Sequence, residues 1–511
     1  MRTKKSFLNI FTNFANNVLL NILRFITRTI FIKQIGELYL GVNGLLTNIL
    51  GVLALADLGI STAIGYSLYK PLKDNNKEKI KTLMAFYKKS YYIIAAVVLI
   101  AGIGILPFLN FFVNKNEWIN GLEIFYLIFL ANMVIGYLFS YKRVLITADQ
   151  NEYKINLIVM IFNFLISVAQ IIVLLAFKSY TLYLIVQTVI LVFENIYVNL
   201  YINKMYPYIK EKTINPLEKQ EKKKIFSDIK ALMYHKIGSY FVDSTDNLII
   251  SKFIGLSVVG LYSNYSLIIS ILNKFINNSI WGITASYGNL NATETKEKKF
   301  KVYNTIYFIT FVIFSIGTVC MINLFNPFIE KVWLGKKYTL SFAIVLITSI
   351  NFYVSGMMRM NDAIKSATGL YTKDKFVPIF QSIINIVASL ILVNKYGILG
   401  VFIGTLISSI LPTIVKPIII YKNIFSINPS KYFIEYLKQV IITTLAALVS
   451  YYVLSLLNIN NGIVYFICGA IICIVITALM IFLSYFKTEV FEDIKERIGK
   501  IFRRKEKYGK N

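Results

Sequence analysis

Eight ionisable side chains sit where a charge is costly. Arg24, Arg28, Lys274 and Arg359, with Asp57, Glu194, Asp243 and Asp246, all lie inside predominantly apolar stretches. A charge in hydrocarbon costs at least ~2.5–3.5 kcal/mol on insertion scales, so each should face a partner or water. Arg24 and Arg28 continue a row formed by Asn9, Asn13, Asn17 and Asn21, which makes one polar stripe down a helix. Such a stripe faces a cavity or another helix. At 1.5 Å per residue the two arginines lie about 25–30 Å along it, in the outer half of a membrane. A guanidinium offers a planar fork to phosphate or pyrophosphate, so Arg24, Arg28 and Asn21, with Lys274 and Arg359, are candidate binding residues for an anionic substrate. Lys274 is accompanied by Ser270, Asn273, Asn277 and Asn278, and Arg359 has Asp362 one turn on, which offers a local ion pair.

A second stripe, His235, Ser239, Asp243 and Asp246, carries acids in place of arginines. Asp243, Asp246 and Asp57 are candidates for gating or for binding a coupling ion. The plainer reading of the two aspartates on the stripe is a structural ion pair with the arginines, which would set the two helices face to face. His235, the one histidine, falls near the cytoplasmic end and reads as an interfacial residue or a proton relay. Glu194, beside Asn195 in an apolar surround, reads as half of a structural pair. There is no G-x-x-x-x-G-K-[ST] phosphate loop and no H-E-x-x-H, and one histidine cannot build a multi-His metal site. Neither a metal nor a cofactor is expected, and no soluble-enzyme chemistry is visible.

These residues are positioned by apolar runs of membrane length. Of 511 residues 56% are hydrophobic and 16% charged, which excludes a soluble or disordered chain. The fold class is an all-α polytopic membrane protein with about fourteen spans. They fall near residues 7–32, 40–68, 91–113, 121–146, 155–177, 180–203, 231–252, 257–288, 303–324, 341–367, 376–394, 398–421, 436–457 and 463–486. The net charge of +28 does not point to nucleic acid, because the lysines collect in alternate loops. One set of loops takes Lys70 to Lys89, Lys204 to Lys224, Lys296 to Lys301, and Lys416, Lys422, Lys431 and Lys438, whereas the opposite loops are short and poor in cations. That alternation predicts both termini in the cytoplasm. Residues 219–233 and the tail around Val490, Ile494, Ile498 and Ile501 read as basic amphipathic helices, on an anionic leaflet or, for the tail, simply solvated. Cys320, Cys468 and Cys473 lie in apolar segments and are expected as reduced thiols. The first residues lack a small-residue cleavage site, so no cleavable signal peptide is expected.

The chain also repeats itself. Lys33-Gln34-Ile35-Gly36, with Gly41 five residues after the glycine, recurs as Lys252-Phe253-Ile254-Gly255 with Gly260, at a register of about 219 residues. In that register Arg24 and Arg28 fall opposite Asp243 and Asn247. The expected organisation is an N-lobe of six helices over 1–215, a C-lobe of six over 216–430, a helix pair over 431–486 and a basic cytoplasmic tail over 487–511. With an even span count per half, the halves share one orientation. A duplicated bundle with cations on one lead helix and anions on its counterpart suggests a transporter.

The stretch D-N-L-I-I-S-K-F-I-G-L-S-V-V-G-L-Y-S, residues 246–263, resembles the seventh-to-eighth helix signature of bacterial O-antigen and capsule flippases of the Wzx type. A-D-L-G-I-S-T-A-I, residues 56–64, resembles their second helix. In span count and two-lobed repeat the chain is similar to the multidrug/oligosaccharidyl-lipid/polysaccharide (MOP) exporter superfamily, with its MATE and MurJ-like branches. The resemblance implies two six-helix lobes around a central cavity, working by alternating access in the bacterial cytoplasmic membrane. It implies undecaprenyl-pyrophosphate-linked oligosaccharide as substrate, moved from the inner to the outer leaflet, with membrane lipids and a glycan polymerase of the same pathway as candidate partners. By position Arg24 and Arg28 match the first-helix cations of MurJ-like relatives, and Lys274 stands where an arginine would be expected. The last two spans resemble the pair that forms a groove for the lipid tail. Other classes remain in view: a MATE-type cation-coupled multidrug exporter, which should carry acids on its first span, a glycan polymerase or ligase, which needs larger outer loops, and a non-transporting scaffold, which needs no polar stripe.

Overall fold

The computed structural model describes residues 2–57, 60–117, 119–211, 216–370 and 373–497. Side chains at 2–7, 10–11, 61–63, 224, 227–239, 241–243, 275, 278–286, 289 and 292 lie outside that description. The described residues form sixteen α-helices and no strand. By packing they divide into two compact units, Met1–Ser263 and Asn264–Asn511.

The first unit holds α1 (Arg2–Ile35), α2 (Glu37–Ala54), α3 (Ile60–Lys73), α4 (Lys77–Ile105), α5 (Leu122–Ser140), α6 (Arg143–Ala148), α7 (Glu152–Phe177), α8 (Tyr180–Met205), α9 (Lys219–Phe253) and the start of α10 (Leu256–Thr293). The second holds the rest of α10 and then α11 (Lys296–Pro327), α12 (Phe342–Thr368), α13 (Val377–Tyr396), α14 (Ile398–Ile420), α15 (Ser430–Ser455) and α16 (Gly462–Tyr485).

Twelve helices among the described residues are long and apolar enough to cross a membrane: α2, α4, α5, α7, α8 and α10 to α16. The chain is therefore a multi-pass membrane protein, and twelve of the fourteen expected spans meet that length and composition among the described residues. The other two expected spans fall on α1 and α9, which have the length, 34 and 35 residues, but not the composition. In α1 the asparagine row dilutes the apolar content, and α9 opens on a lysine run.

Three further expectations change. The span expected over 40–68 is broken, because α2 gives way to a 3-10 turn at Leu55–Asp57 before α3 begins. Residues 219–233 are not a separate surface helix but the opening turns of α9. There Ile225 is buried and Phe226 exposed. Lys416, expected in a loop, lies inside α14, between Pro412 and Pro417.

In the first unit α1 packs along α7, and the lower part of its stripe is spent on that contact. The Asn9 side chain donates to the Gln150 carbonyl at 3.1 Å and accepts the Tyr153 N–H at 2.7 Å. Asn13 Oδ1 accepts from Asn156 Nδ2 at 2.8 Å. These two asparagines satisfy the neighbouring helix, while the stripe continues upward to Asn21, Arg24 and Arg28. In the second unit α15 and α16 dock on α11 through a core of Val319, Leu324, Ala446, Ala447, Leu454 and Cys473. All three cysteines are free thiols.

Candidate functional site

The two copies of the repeated phrase meet in the first unit. Gly36 and Gly255 end α1 and α9 at φ of 90° and 141°, a region open to glycine at little cost. Each chain then turns into its next helix, and α2 crosses the start of α10 backbone to backbone. A Cβ on Gly41 would stand 1.9 Å from the Leu256 carbonyl oxygen, and one on Gly260 would stand 2.0 Å from that of Glu37. Leu256 and Glu37 are themselves counterparts in the repeat register, so the two contacts are mirror copies of one another. Small residues permit this approach, which is the usual way helices pack closely within a membrane. Glu117 adds a feature that one copy lacks. Its carboxylate accepts the Leu256 N–H and, at 3.5 Å, that of Ser257, so it caps the α10 N-terminus.

Directly above this crossing sits Arg28. Its Nη2 donates to Ser263 Oγ at 2.6 Å, and that hydroxyl donates in turn to the Gly260 carbonyl at 2.6 Å. Arg28 Nε is buried with no hydrogen-bond partner, and Arg28 makes no ion pair among the described residues. A cation has thus been brought into the protein against a neutral hydroxyl. Arg24, one turn below, is exposed, and Asn21 is half-buried on the same face.

Asp57 accepts the Tyr91 hydroxyl at 2.8 Å. Asp246 is half-buried on α9, and the side chains of Asp243 and His235 lie outside the described residues. Glu194 is buried and pairs with Arg143 Nη2 at 2.8 Å.

In the second unit Lys274 is exposed on α10, and Asn277, three residues on and on the same helical face, accepts from Arg359 Nη1. Asp362 therefore does not take the pairing expected with Arg359. Instead it binds Lys416 at 2.8 Å and Lys365 at 3.3 Å, and Lys365 also pairs with the buried Asp374. Sequence reasoning missed this four-membered cluster because Asp374 and Lys416 lie 42 residues apart and meet only through α12 and α14 packing. Also in this unit, α11, α12 and α15 line an open, mostly apolar cleft of about 650 Å³. Phe342, Tyr353, Tyr436, Thr443 and Tyr451 are among its lining.

Residues 7–287, more than half of the chain, match the family model described as "Polysaccharide biosynthesis protein". The chain belongs to that family. Sequence comparison with curated proteins finds no match. Solved structures show what the polysaccharide biosynthesis protein folds like. Lipid II flippase MurJ in an inward closed conformation is similar at a TM-score of 0.67 and 14% identity, over 92% of this chain and 99% of that one. An inward-facing multidrug resistance MATE family transporter of the MOP superfamily is similar at 0.61 and 17%, over 78% and 92%. The Vibrio cholerae MATE transporter VcmN in its bent form is similar at 0.55 and 15%, over 83% and 98%. At such identities the likeness is one of fold. The chain is thus a multi-pass membrane protein of the polysaccharide biosynthesis protein family with a fold like those of MurJ and the MATE transporters.

Proposed function

We propose that the protein is a flippase that carries undecaprenyl-pyrophosphate-linked oligosaccharide from the inner to the outer leaflet of the bacterial cytoplasmic membrane by alternating access, with both termini cytoplasmic. The observation that carries this reading is Arg28, a half-buried arginine with a buried, unpartnered Nε, whose guanidinium faces a serine hydroxyl instead of a carboxylate among the described residues. A structural arginine would be neutralised in place. One left with a neutral partner attracts an anion, and its fork matches a pyrophosphate oxygen pair. Arg24 and Asn21 lie on the same face of α1, and Lys274 and Arg359 are likewise assigned to substrate binding. The apolar cleft beneath α15 is a fitting receptor for a polyprenyl tail, since it offers hydrocarbon contact along helices that border lipid. Asp57, Asp243 and Asp246 are assigned to gating or to a coupling ion.

Deleting the gene in its host and measuring undecaprenyl-linked glycans by mass spectrometry tests the reading. A complete lipid-linked repeat unit should accumulate while surface polysaccharide falls. Arg28→Ala, expressed at the wild-type level, should lower restored export roughly 10- to 100-fold, as befits one charge-assisted contact. Arg28→Lys should recover part of it. If lipid intermediates stay unchanged and the cells become sensitive to cationic drugs instead, an exporter of organic cations replaces the flippase.

A further inference from the structure

Away from Arg28, the first unit contains a second polar opening. A groove of about 470 Å³ runs between α4, α5 and α8 and is lined by Tyr91, Asn132, Tyr137, Arg143, Glu194 and Asn195, with Gly136 also in its wall. Its volume falls within the range of about 300–1,000 Å³ found for small-molecule sites.

Four observations separate this groove from a plain structural ion pair. Arg143 uses only Nη2 on the protein, toward Glu194 Oε1 at 2.8 Å and Asn195 Oδ1 at 3.2 Å. Its side chain is 33% exposed while that of Glu194 is 6% exposed, so the carboxylate aims the guanidinium and leaves its other N–H groups open. Asn132 donates to Thr188 Oγ1 at 2.9 Å, but its own Oδ1 is buried with no donor. A buried acceptor left in this state costs about 1–3 kcal/mol unless something satisfies it. Finally, a Cβ on Gly136 would meet nothing within 4 Å. A glycine inside a helix is about 1 kcal/mol worse than alanine. No packed neighbour requires this one, and it leaves that part of the groove wall open.

The groove is neutral in sum, and its polar groups are planar and mixed: a guanidinium edge, a carboxylate and two carboxamides, beside the half-buried ring of Tyr137 with Tyr91 buried against it. Such groups hydrogen-bond neighbouring hydroxyls that both donate and accept, while aromatic rings cover the C–H face of a ring. A phosphate would meet Glu194 as well as Arg143, which disfavours it. We infer that the groove between α4, α5 and α8 is a sugar-binding subsite that takes a pyranose ring through Arg143, Asn132 and Asn195. The inference deepens the flippase reading, since it places part of a glycan apart from the Arg28 site, but its test does not depend on transport.

The test is saturation-transfer NMR on the full chain in nanodiscs, with methyl glycosides of common hexoses and N-acetylhexosamines as probes and sn-glycerol 1-phosphate as the headgroup control. At least one glycoside should receive saturation from the wild type. Gly136→Leu starts from a Cβ with no atom within 4 Å and grows into the groove, so it should abolish that signal while leaving the melting temperature near wild type. Gly136→Ala should weaken the signal less, and Arg24→Ala should leave it intact. No glycoside signal above that of Gly136→Leu overturns the inference, as does saturation that passes to glycerol phosphate alone. Glycoside binding in a protein whose deletion leaves lipid-linked glycans unchanged would keep the subsite and remove the flippase reading. The opposite pair of results would do the reverse.

Discussion

Lys365 and Arg28 are both cations drawn into the interior of a membrane protein, one in each unit, and their surroundings differ in kind. Lys365 is 5% exposed, lies against the buried Asp374 and shares Asp362 with Lys416, so two lysines meet two aspartates and the cluster is neutral. Arg28 meets a serine, keeps a buried Nε without a partner, and gains no carboxylate among the described residues. Location inside the membrane is therefore not what marks a working charge. Local compensation distinguishes them: the first arrangement ties α12 to α14 through neutralised charges, and the second sets a guanidinium against a hydroxyl, the arrangement proposed above to meet an anion.

The largest effects should come from breaking the compensated cluster. Lys365→Met strands Asp374 as a buried, unpaired carboxylate and should cost about 3–5 kcal/mol, read as a fall in the melting temperature of the purified protein. Lys365→Met combined with Asp374→Leu should recover most of that loss, because an apolar pair of similar volume dispenses with the desolvation of both ions. Arg28→Ala should show the opposite profile, with no loss of melting temperature and a loss of export. If Arg28→Ala unfolded the protein and Lys365→Met did not, the contrast drawn between the two sites would be reversed.

Next in size are the glycines of the repeated phrase, which allow two near-copies to be compared within one molecule. Gly41→Val and Gly260→Val each push a side chain into a backbone carbonyl, and each should cost roughly 1–3 kcal/mol or more. Once either has parted the helices, the other meets less resistance, so the double variant should cost less than the sum. Gly36 and Gly255 should differ. A Cβ on Gly36 meets nothing within 4 Å, so Gly36→Ala carries only the strain of its positive φ. On Gly255 the same atom stands 2.8 Å from Glu117 Oε1, so Gly255→Ala adds a clash with the α10 cap and should be the more damaging by thermal unfolding. Equal effects would show that Glu117 contributes nothing to the crossing.

The sequence was legible wherever a signal is local or periodic. Membrane-length apolar runs gave twelve spans, and the Lys-x-Ile-Gly phrase marked both chains of the α2–α10 crossing, because a five-residue spacing of glycines survives in the text. The stripe of α1 was visible as a stripe, but its division between a helix contact at Asn9 and Asn13 and a charge at Arg28 was not, since periodicity reports a face and not what covers it. Partner choice was least legible. Arg359 and Asp362 are three apart and looked paired, yet Arg359 donates to Asn277, 82 residues away, and Asp362 binds Lys416, 54 residues away, as well as Lys365. Arg143 had no signal at all, because it follows the end of α5 as an ordinary interfacial cation. Only the packing of α8 beside it brings Glu194 within reach.

The smallest expected effect lies at the tail, outside the spans. Residues 489–497 are helical, and Asp493 is buried against α11, where it accepts from Thr305 Oγ1 at 2.7 Å and Arg497 Nε at 2.7 Å and meets Lys301 at 3.3 Å. The start of the tail is thus tied to the protein, whatever the residues beyond 497 touch. Burial works to raise the carboxyl's pKa, but the bonds from Thr305, Arg497 and Lys301 outweigh it and hold the group below the ordinary aspartate value of 3.8. For a carboxylate depressed on folding, the stabilisation is present above the unfolded pKa and disappears as pH falls through the folded one. Docking should therefore be constant at neutral pH and weaken only below about pH 4. Asp493→Asn at pH 7 should reproduce the acid behaviour, with trypsin cutting at Lys487 severalfold faster while the spans keep their melting temperature. Cleavage at the wild-type rate in that variant would mean that the aromatic contact between Phe482 and Phe491, at 5.5 Å, anchors the tail without help from the charge.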